Sequence, residues 1–275
     1  MSDTPRGLRH VEHVMGTVFS FDIRDPRTPA IGAALREAVA WLHHVDAEYS
    51  PYRPDSAVSR LARGETRPAD CSREVRDVLA LCEGAARVSG GWFSHRPGGG
   101  LDPSGLVKGW SIEHASRILD DAGARNTCVN GGGDLRLRGE AAPGRPWSVG
   151  IAHPLRPGAL CAVVTGRDLA VATSGTAERG AHIVDPHTGA PAPGPASVTL
   201  TGPGLTLTDA YATAAFAMGD LARDWVASLD GYEAFAVLSD GIAWRTPGFP
   251  GTRVPQRDRR ADGIALDVPL RESCR

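Results

Sequence analysis

The sequence predicts an α+β fold, and three observations carry that prediction. Several short segments alternate apolar and polar residues and are rich in β-branched side chains. Several longer segments repeat apolar residues at helical spacing. The two kinds are segregated and lack the regular strand–helix rhythm of a doubly wound sheet. The 275 residues can bury a large core, as one large domain or two small ones.

Residues 11–24 open the pattern. Val18-Phe-Ser-Phe-Asp-Ile alternates as a strand does, and Met15-Gly16-Thr17 interrupts the run with a bulge or a close backbone approach. From Ala30 to Glu48, Ile31, Leu35, Val39, Leu42 and Val45 mark an amphipathic helix. Tyr49-Ser-Pro-Tyr-Arg-Pro-Asp-Ser follows, and its prolines impose a stiff extended loop. That loop is either a structural turn or a cover for a planar ligand. Ala57–Ala62 is a short helical turn. Ser72 caps a further helix with Val75, Val78, Leu79, Cys82 and Ala86 on one face, ending at Gly90-Gly91.

Asp102-Pro-Ser-Gly-Leu-Val-Lys-Gly-Trp110 reads as a glycine-bearing loop feeding a helix over 108–121 that Gly123 closes. Such a loop offers backbone N–H groups to an anion. Thr127-Cys-Val is a strand running into Asn130-Gly-Gly-Gly-Asp134, and Leu135-Arg-Leu-Arg alternates out of it. The glycines make a tight turn or a flat ligand floor. No helix follows them, so this is no dinucleotide fingerprint. Trp147–Ile151, Leu160–Thr165, Leu169–Thr173 and Ser197–Thr201 are short strands. Ala181–Gly189 is a strand ending in a turn. Thr206–Met218 is a helix with Thr208 as its N-cap, and Leu221–Leu229 is another. Ala234–Leu238 and Ile242–Arg245 form a hairpin across Ser239-Asp240-Gly241. The last residues are polar and proline-containing.

Composition narrows the function. The formal charge of −2 provides no global basic field for nucleic acid, and the arginines of 253–260 are interrupted by acids. No apolar run reaches the roughly 18 residues of a membrane span, and the first residues resemble neither a signal peptide nor a lipid-attachment site, so we expect a cytoplasmic location. The five cysteines are scattered and include no CxxC pair, which argues against a disulfide scaffold or structural zinc.

Candidate chemistry rests on few residues. Lys108 is the only lysine among 30 basic residues. A lysine retained where arginine serves everywhere else marks a place that needs a compact charge rather than a planar fork. Asp209 and Thr213 lie four apart on one helix face. A carboxylate and a hydroxyl so placed suit Mg²⁺, although a first-turn Asp also favours the helix dipole and a Thr also packs well. His182 precedes Ile-Val-Asp-Pro and has the character of a general base near a strand end. No GxSxG elbow and no P-loop are present.

Together these blocks resemble the ApbE family, the FAD:protein FMN transferases. The matching segments run in order over about residues 13–220. They are Met15-Gly-Thr, Tyr49-Ser-Pro-Tyr-Arg-Pro-Asp-Ser-Ala-Val-Ser-Arg-Leu, Asp102-Pro-Ser-Gly-Leu-Val-Lys-Gly-Trp, Val129-Asn-Gly-Gly-Gly-Asp, Ala172-Thr-Ser-Gly continuing to His182-Ile-Val-Asp-Pro-His-Thr-Gly, and Asp209-Ala-Tyr-Ala-Thr-Ala. The resemblance implies a single α+β domain over 1–275, with two lobes and a flavin cleft between them. Its motif-bearing part is about 11–245, and 246–275 is a polar tail. It implies that Met15, Tyr52, Asp102, Lys108 and His182 contact FAD. The carbonyls of Gly105 and Ala212 would join Asp209 and Thr213 as Mg²⁺ ligands. Asp209 and His182 would be catalytic, His182 helping to deprotonate the acceptor. The implied reaction moves FMN from FAD to a threonine of another protein, within a motif ending in Ser/Thr-x-Ala-Thr, and releases AMP. Hydrolysis of FAD to FMN and AMP would use the same metal residues, and a flavin-binding module without catalysis would dispense with them. The chain departs from the family at Trp92-Phe-Ser-His95, where many members have Gly-x-Phe-Asp-Pro and a longer connection to the Asp102 block.

Overall fold

The computed structural model of the protein describes residues 7–176 and 183–254. Its centre is a fully antiparallel eight-stranded sheet. The strands are β1 (Leu8–Val14), β2 (Thr17–Ile23), β3 (Thr127–Gly131), β4 (Asp134–Arg138), β7 (Ala170–Gly175), β8 (Ser197–Gly202), β9 (Glu233–Val237) and β10 (Ala243–Arg245), in that spatial order. A smaller antiparallel sheet has the order β11–β6–β5, from Gly251–Arg253, Leu160–Gly166 and Trp147–Ala152.

Helices pack on one face of the large sheet and the small sheet packs on the other. Alternation along the strands decides which residue faces which layer. In β9, Ala234 and Ala236 belong to the helix-side core, and Phe235 and Val237 to the core shared with Trp147, Val164 and Phe249. In β7, Ala170 and Ala172 face the helices while Val171 faces the small sheet. Small residues on the helix side let α5 (Leu205–Met218) lie close to the strands, and α5 is buried at most of its positions. This explains why its sequence is apolar nearly all round.

Thr28 caps α1 (Pro29–Tyr49) by accepting from the Ile31 N–H at 3.1 Å, and Ser72 caps α3 (Arg73–Val88) through Val75 at 3.2 Å. The short helix α2 is Ala57–Ala62, as its spacing predicts. The expected 234–245 hairpin is the β9–β10 pair. A final short helix, α6, spans Ala222–Ala227.

Four expectations need correction. Residues 11–24 are not one bulged strand, because β1 and β2 form a hairpin with Met15 and Gly16 at its tip, both at positive φ (+52° and +67°). Helix α4 (Ser104–Asp121) begins four residues before the expected start at Lys108, so Gly105 is helical rather than in the loop that feeds it. Thr208 does not cap α5. It lies inside the helix, and its hydroxyl donates to the Gly204 carbonyl at 2.7 Å. The cap is supplied from outside: Glu113 of α4 accepts the Leu205 N–H at 2.7 Å. Asp209 therefore sits beyond the first turn. Of the segment 181–189, residues 181 and 182 lie outside the described residues, and Val184 makes only an isolated bridge with Pro191. Within the expected tail from 246, Gly251–Arg253 pairs with β6, and residues 255–275 lie outside the described residues. Among the described residues, no helix is long and apolar enough to cross a membrane.

Candidate active site

A cleft of about 650 Å³ opens between the N-terminal end of α4, the middle of α5, the β1–β2 and β3–β4 turns, and strand β5. That volume suits a cofactor-sized ligand. Its floor is set by a close crossing of α4 and α5. A Cβ on Gly109 would stand 2.6 Å from both the Asp209 Cβ and the Leu205 carbonyl oxygen. One turn earlier, a Cβ on Gly105 would stand 3.5 Å from the Thr213 hydroxyl. The Gly105/Gly109 pair thus lies against the Asp209/Thr213 pair, each four residues apart on its own helix.

The close approach has an electrostatic purpose. The Gly109 N–H donates to Asp209 Oδ2 at 2.9 Å. Lys108 reaches the other side, with Nζ 2.5 Å from Asp134 Oδ2 and 3.9 Å from Asp209 Oδ1. Asp134 is 1% exposed, and its Oδ1 accepts the Thr173 N–H at 3.0 Å. Apart from Lys108, Oδ2 has no partner among the described residues. Two buried carboxylates therefore share one ammonium. Burial pushes the Asp209 carboxyl well above the usual carboxylate range, and the neighbouring Asp134 pushes it the same way. Lys108 and the Gly109 amide act against that shift.

The β1–β2 and β3–β4 turns meet at the mouth. Gly132 and Gly133, both at positive φ, form the tight turn of β3–β4. The Gly132 N–H donates to the Val18 carbonyl at 3.1 Å, and a Cβ there would stand 2.9 Å from the Thr17 hydroxyl. This neighbour holds Met15 beside the cleft in a left-handed conformation that methionine seldom adopts. The Trp92–Asp102 segment forms another wall. Buried Phe93 packs on Gly105, and the Asp102 N–H donates to the His95 carbonyl at 2.8 Å.

The structure gathers Met15, Tyr52, Asp102, Gly105, Lys108, Asp209 and Thr213 around this one cleft. Tyr52 is at the rim and 93% exposed. Asp102 is half-buried, and its Oδ1 accepts the Ser104 N–H at 3.0 Å as α4 starts. Ala212 is fully buried on α5 and is not among the lining residues. His182 lies outside the described residues. Sequence reasoning missed Asp134 as a member of the charged cluster. Its signal was a carboxylate directly after three glycines, which a turn does not require. It also missed His153, which is buried in the wall with Nδ1 accepting the Leu155 N–H at 3.2 Å. No group of three or more His, Cys, Asp or Glu side chains gathers as a metal cage among the described residues.

The model of the ApbE family matches residues 15–98 and 94–236. A FAD:protein FMN transferase from Rhodobacter capsulatus is 30% identical over 230 residues, covering 80% of this chain and 40% of that protein. The solved flavin transferase ApbE from Vibrio cholerae superposes with a TM-score of 0.77 at 20% identity, over 88% of this chain and 97% of that one. An ApbE protein structure from Thermotoga maritima gives a TM-score of 0.77 at 22% identity, over 88% and 98%. At such identities the structural likeness speaks for the fold alone. The chain spans less than half the length of the curated relatives it matches. The family match runs from Met15 through Thr213 and so takes in both turns, α4 and α5; this chain belongs to the ApbE family.

Proposed function

We propose that this chain transfers FMN from FAD to a threonine hydroxyl of an acceptor protein, with Mg²⁺ as the metal and AMP as the second product. The observation that carries the proposal is the cleft floor, where half-buried Lys108 meets buried Asp134 and Asp209 beside Thr213. Family membership and the name of the Rhodobacter capsulatus relative support the same reading.

The residues fit the metal. Mg²⁺ takes hard oxygen donors, uses one or two carboxylates, and completes its shell with water and substrate phosphates rather than an all-protein cage. Asp209 and the Thr213 hydroxyl supply two donors, and the carbonyls of Gly105 and Ala212 are proposed as the others. In a helix the Gly109 N–H faces the Gly105 carbonyl; its bond to Asp209 leaves that carbonyl with spare acceptor capacity. Two ionised carboxylates against one ammonium would carry an excess negative charge, which a cation offsets and which protonation of Asp209 relieves without one. When bound, the ion neutralises charge building on the pyrophosphate oxygens.

The chain's own residues do the rest. The first turn of α4 directs its positive dipole end at the phosphate region. Lys108, held by Asp134, adds a compact point charge on a flexible stem rather than a planar fork. Met15 and exposed Tyr52, which line the cleft, would flank the flavin rings, and Asp102 would bind FAD near the start of α4. The acceptor oxygen bonds to the FMN phosphorus while the bond from that phosphorus to the bridging oxygen breaks. AMP leaves with the electron pair. The acceptor proton goes to a base, for which the sequence motif alone nominates His182. His182→Ala is expected to slow transfer more than it weakens FAD binding, and equal losses in the two would make it a binding residue.

The direct test incubates the purified protein with FAD, Mg²⁺ and a threonine-bearing peptide, followed by mass spectrometry of the peptide. An added FMN mass that disappears with EDTA is expected. Free FMN and AMP with unlabelled peptide would indicate hydrolysis instead, and intact retained FAD a binding module.

A further inference from the structure

A sheet edge offers unpaired N–H and C=O groups to any passing chain, so proteins blunt their edges with charge or brevity. Among the described residues, the two sheets end in β1, β10, β5 and β11. Strand β1 is guarded by Arg9, His10, Glu12 and His13, with Arg9 paired to Asp22 and Glu12 paired to His10 and His43. Strands β10 and β11 are three residues each, and each carries an arginine. Strand β5 is different. It is six residues long, Trp-Ser-Val-Gly-Ile-Ala, with no charge and no proline. Among the described residues it pairs with β6 on one side only.

The unguarded edge is also the one beside the chemistry. Val149, Gly150, Ile151 and Ala152 line the cleft that holds Lys108 and Asp209. Ser148, Gly150 and Ala152 are exposed. The strand is held in place from behind: Trp147 is buried, its indole N–H donates to the Arg138 carbonyl at 2.9 Å, and Arg24 lies over its ring at 5.4 Å. An edge this rigid and this plain, leading along a cleft wall, is built for another strand.

We propose that β5 is the docking edge for the acceptor polypeptide, which adds as an extended strand and carries its threonine along the wall into the cleft. This rests on the transferase reading above. Six strand residues span about 20 Å, enough to align a short segment on both sides of the modified residue. Main-chain pairing supplies affinity without demanding a particular sequence, and side chains at alternate positions add selectivity. It places the reacting hydroxyl without a dedicated pocket for each flanking side chain.

The test uses the full chain loaded with FAD and Mg²⁺. The probes are a peptide with Ser-Gly-Ala-Thr at its centre and residues on both sides of that motif, and a version with valine in place of the threonine, which cannot accept FMN. Backbone hydrogen exchange over 147–152 is followed, and FMN on the peptide is read by mass spectrometry. Both peptides are expected to slow exchange at 147–152. Single N-methyl groups along the peptide should weaken binding about five- to tenfold at alternate positions and have little effect between them. Unchanged exchange at 147–152, or an N-methyl effect without a two-residue period, would overturn the docking mode even if FMN is transferred. Protection that rises with protein concentration without peptide would also overturn it, because the edge would then serve a second copy. Protection by both peptides without FMN transfer would support the docking edge and defeat the transferase reading instead.

Discussion

Helix α4 and strand β4 are tied together twice by buried charge, and the two ties differ in balance. In the first, Lys108 meets Asp134, with Asp209 of α5 close by. In the second, a little over one turn further along α4, Glu113 meets Arg136 at 3.1 Å and Arg138 at 3.4 Å. It also accepts the first amide of α5, Leu205 N–H, at 2.7 Å. Both clusters join the same helix, the same strand and the same neighbour. The Glu113 cluster is closed: its carboxylate is saturated by donors and its surroundings are cationic. The Lys108 cluster is open, with two carboxylates for one ammonium on the floor of a cleft. Burial and pairing alone thus do not mark a reactive site. A shortfall of charge partners beside a cavity does.

Removing the central acid of each cluster separates these roles most sharply. Asp209→Ala removes the carboxylate assigned to the metal, and transfer should fall by about a thousandfold, since such charge stabilisation is worth several kcal/mol. FAD binding, measured by fluorescence quenching, should largely survive. Unchanged transfer would sink the metal assignment. Glu113→Ala should act on stability instead. It leaves Arg136 buried without its partner and the α5 N-terminus uncapped, at a cost of about 3–5 kcal/mol by chemical denaturation. Transfer per folded molecule should stay near that of the parent. A collapse of transfer at full foldedness would erase the distinction between the clusters.

How much of this contrast was legible in the sequence follows from which interactions are local. Helices α1 and α3 were readable because their apolar residues keep a 3.6 spacing, and Ser72 caps α3 as its position predicts. Lys108 stood out by composition, and Asp209/Thr213 by spacing. What was hidden depends on distant partners. The start of α4 read as a loop because glycines disfavour helices, whereas here Gly105 and Gly109 make room for α5. The hairpin tip at Met15-Gly16 lacks the usual Asn-Gly signature, since methionine occupies a left-handed position. Asp134 looked like the end of a turn because its partner Lys108 is on another element. Strand β11 is too short to show a period, and its partner β6 decides it. The cap on α5 was misassigned to Thr208 because the residue that accepts its first amide, Glu113, is 92 residues away.

The helix crossing that creates the open cluster yields a smaller and finer test. In Gly109→Ala the new methyl group would meet Asp209 Cβ and the Leu205 carbonyl oxygen, both at 2.6 Å. One contact is backbone and the other is the first carbon of a buried side chain, so neither moves aside without shifting α5. We expect a loss of about 1–3 kcal/mol from overpacking, larger than the gain in helix propensity from replacing glycine, together with a fall in transfer as Asp209 is displaced. Gly84→Ala provides the opposite case within helix α3. There the nearest atom is the flexible end of Arg87, 3.9 Å away, and the backbone has no positive φ. That substitution should stabilise the protein by about 0.5–1 kcal/mol in thermal unfolding and leave transfer unchanged. Two glycine-to-alanine changes of opposite sign would show that α4 tolerates its glycines for the sake of the crossing. If Gly109→Ala also stabilised the protein, α4 and α5 could part without penalty, and the close contact that holds Asp209 against the Gly109 amide would not be what shapes the site.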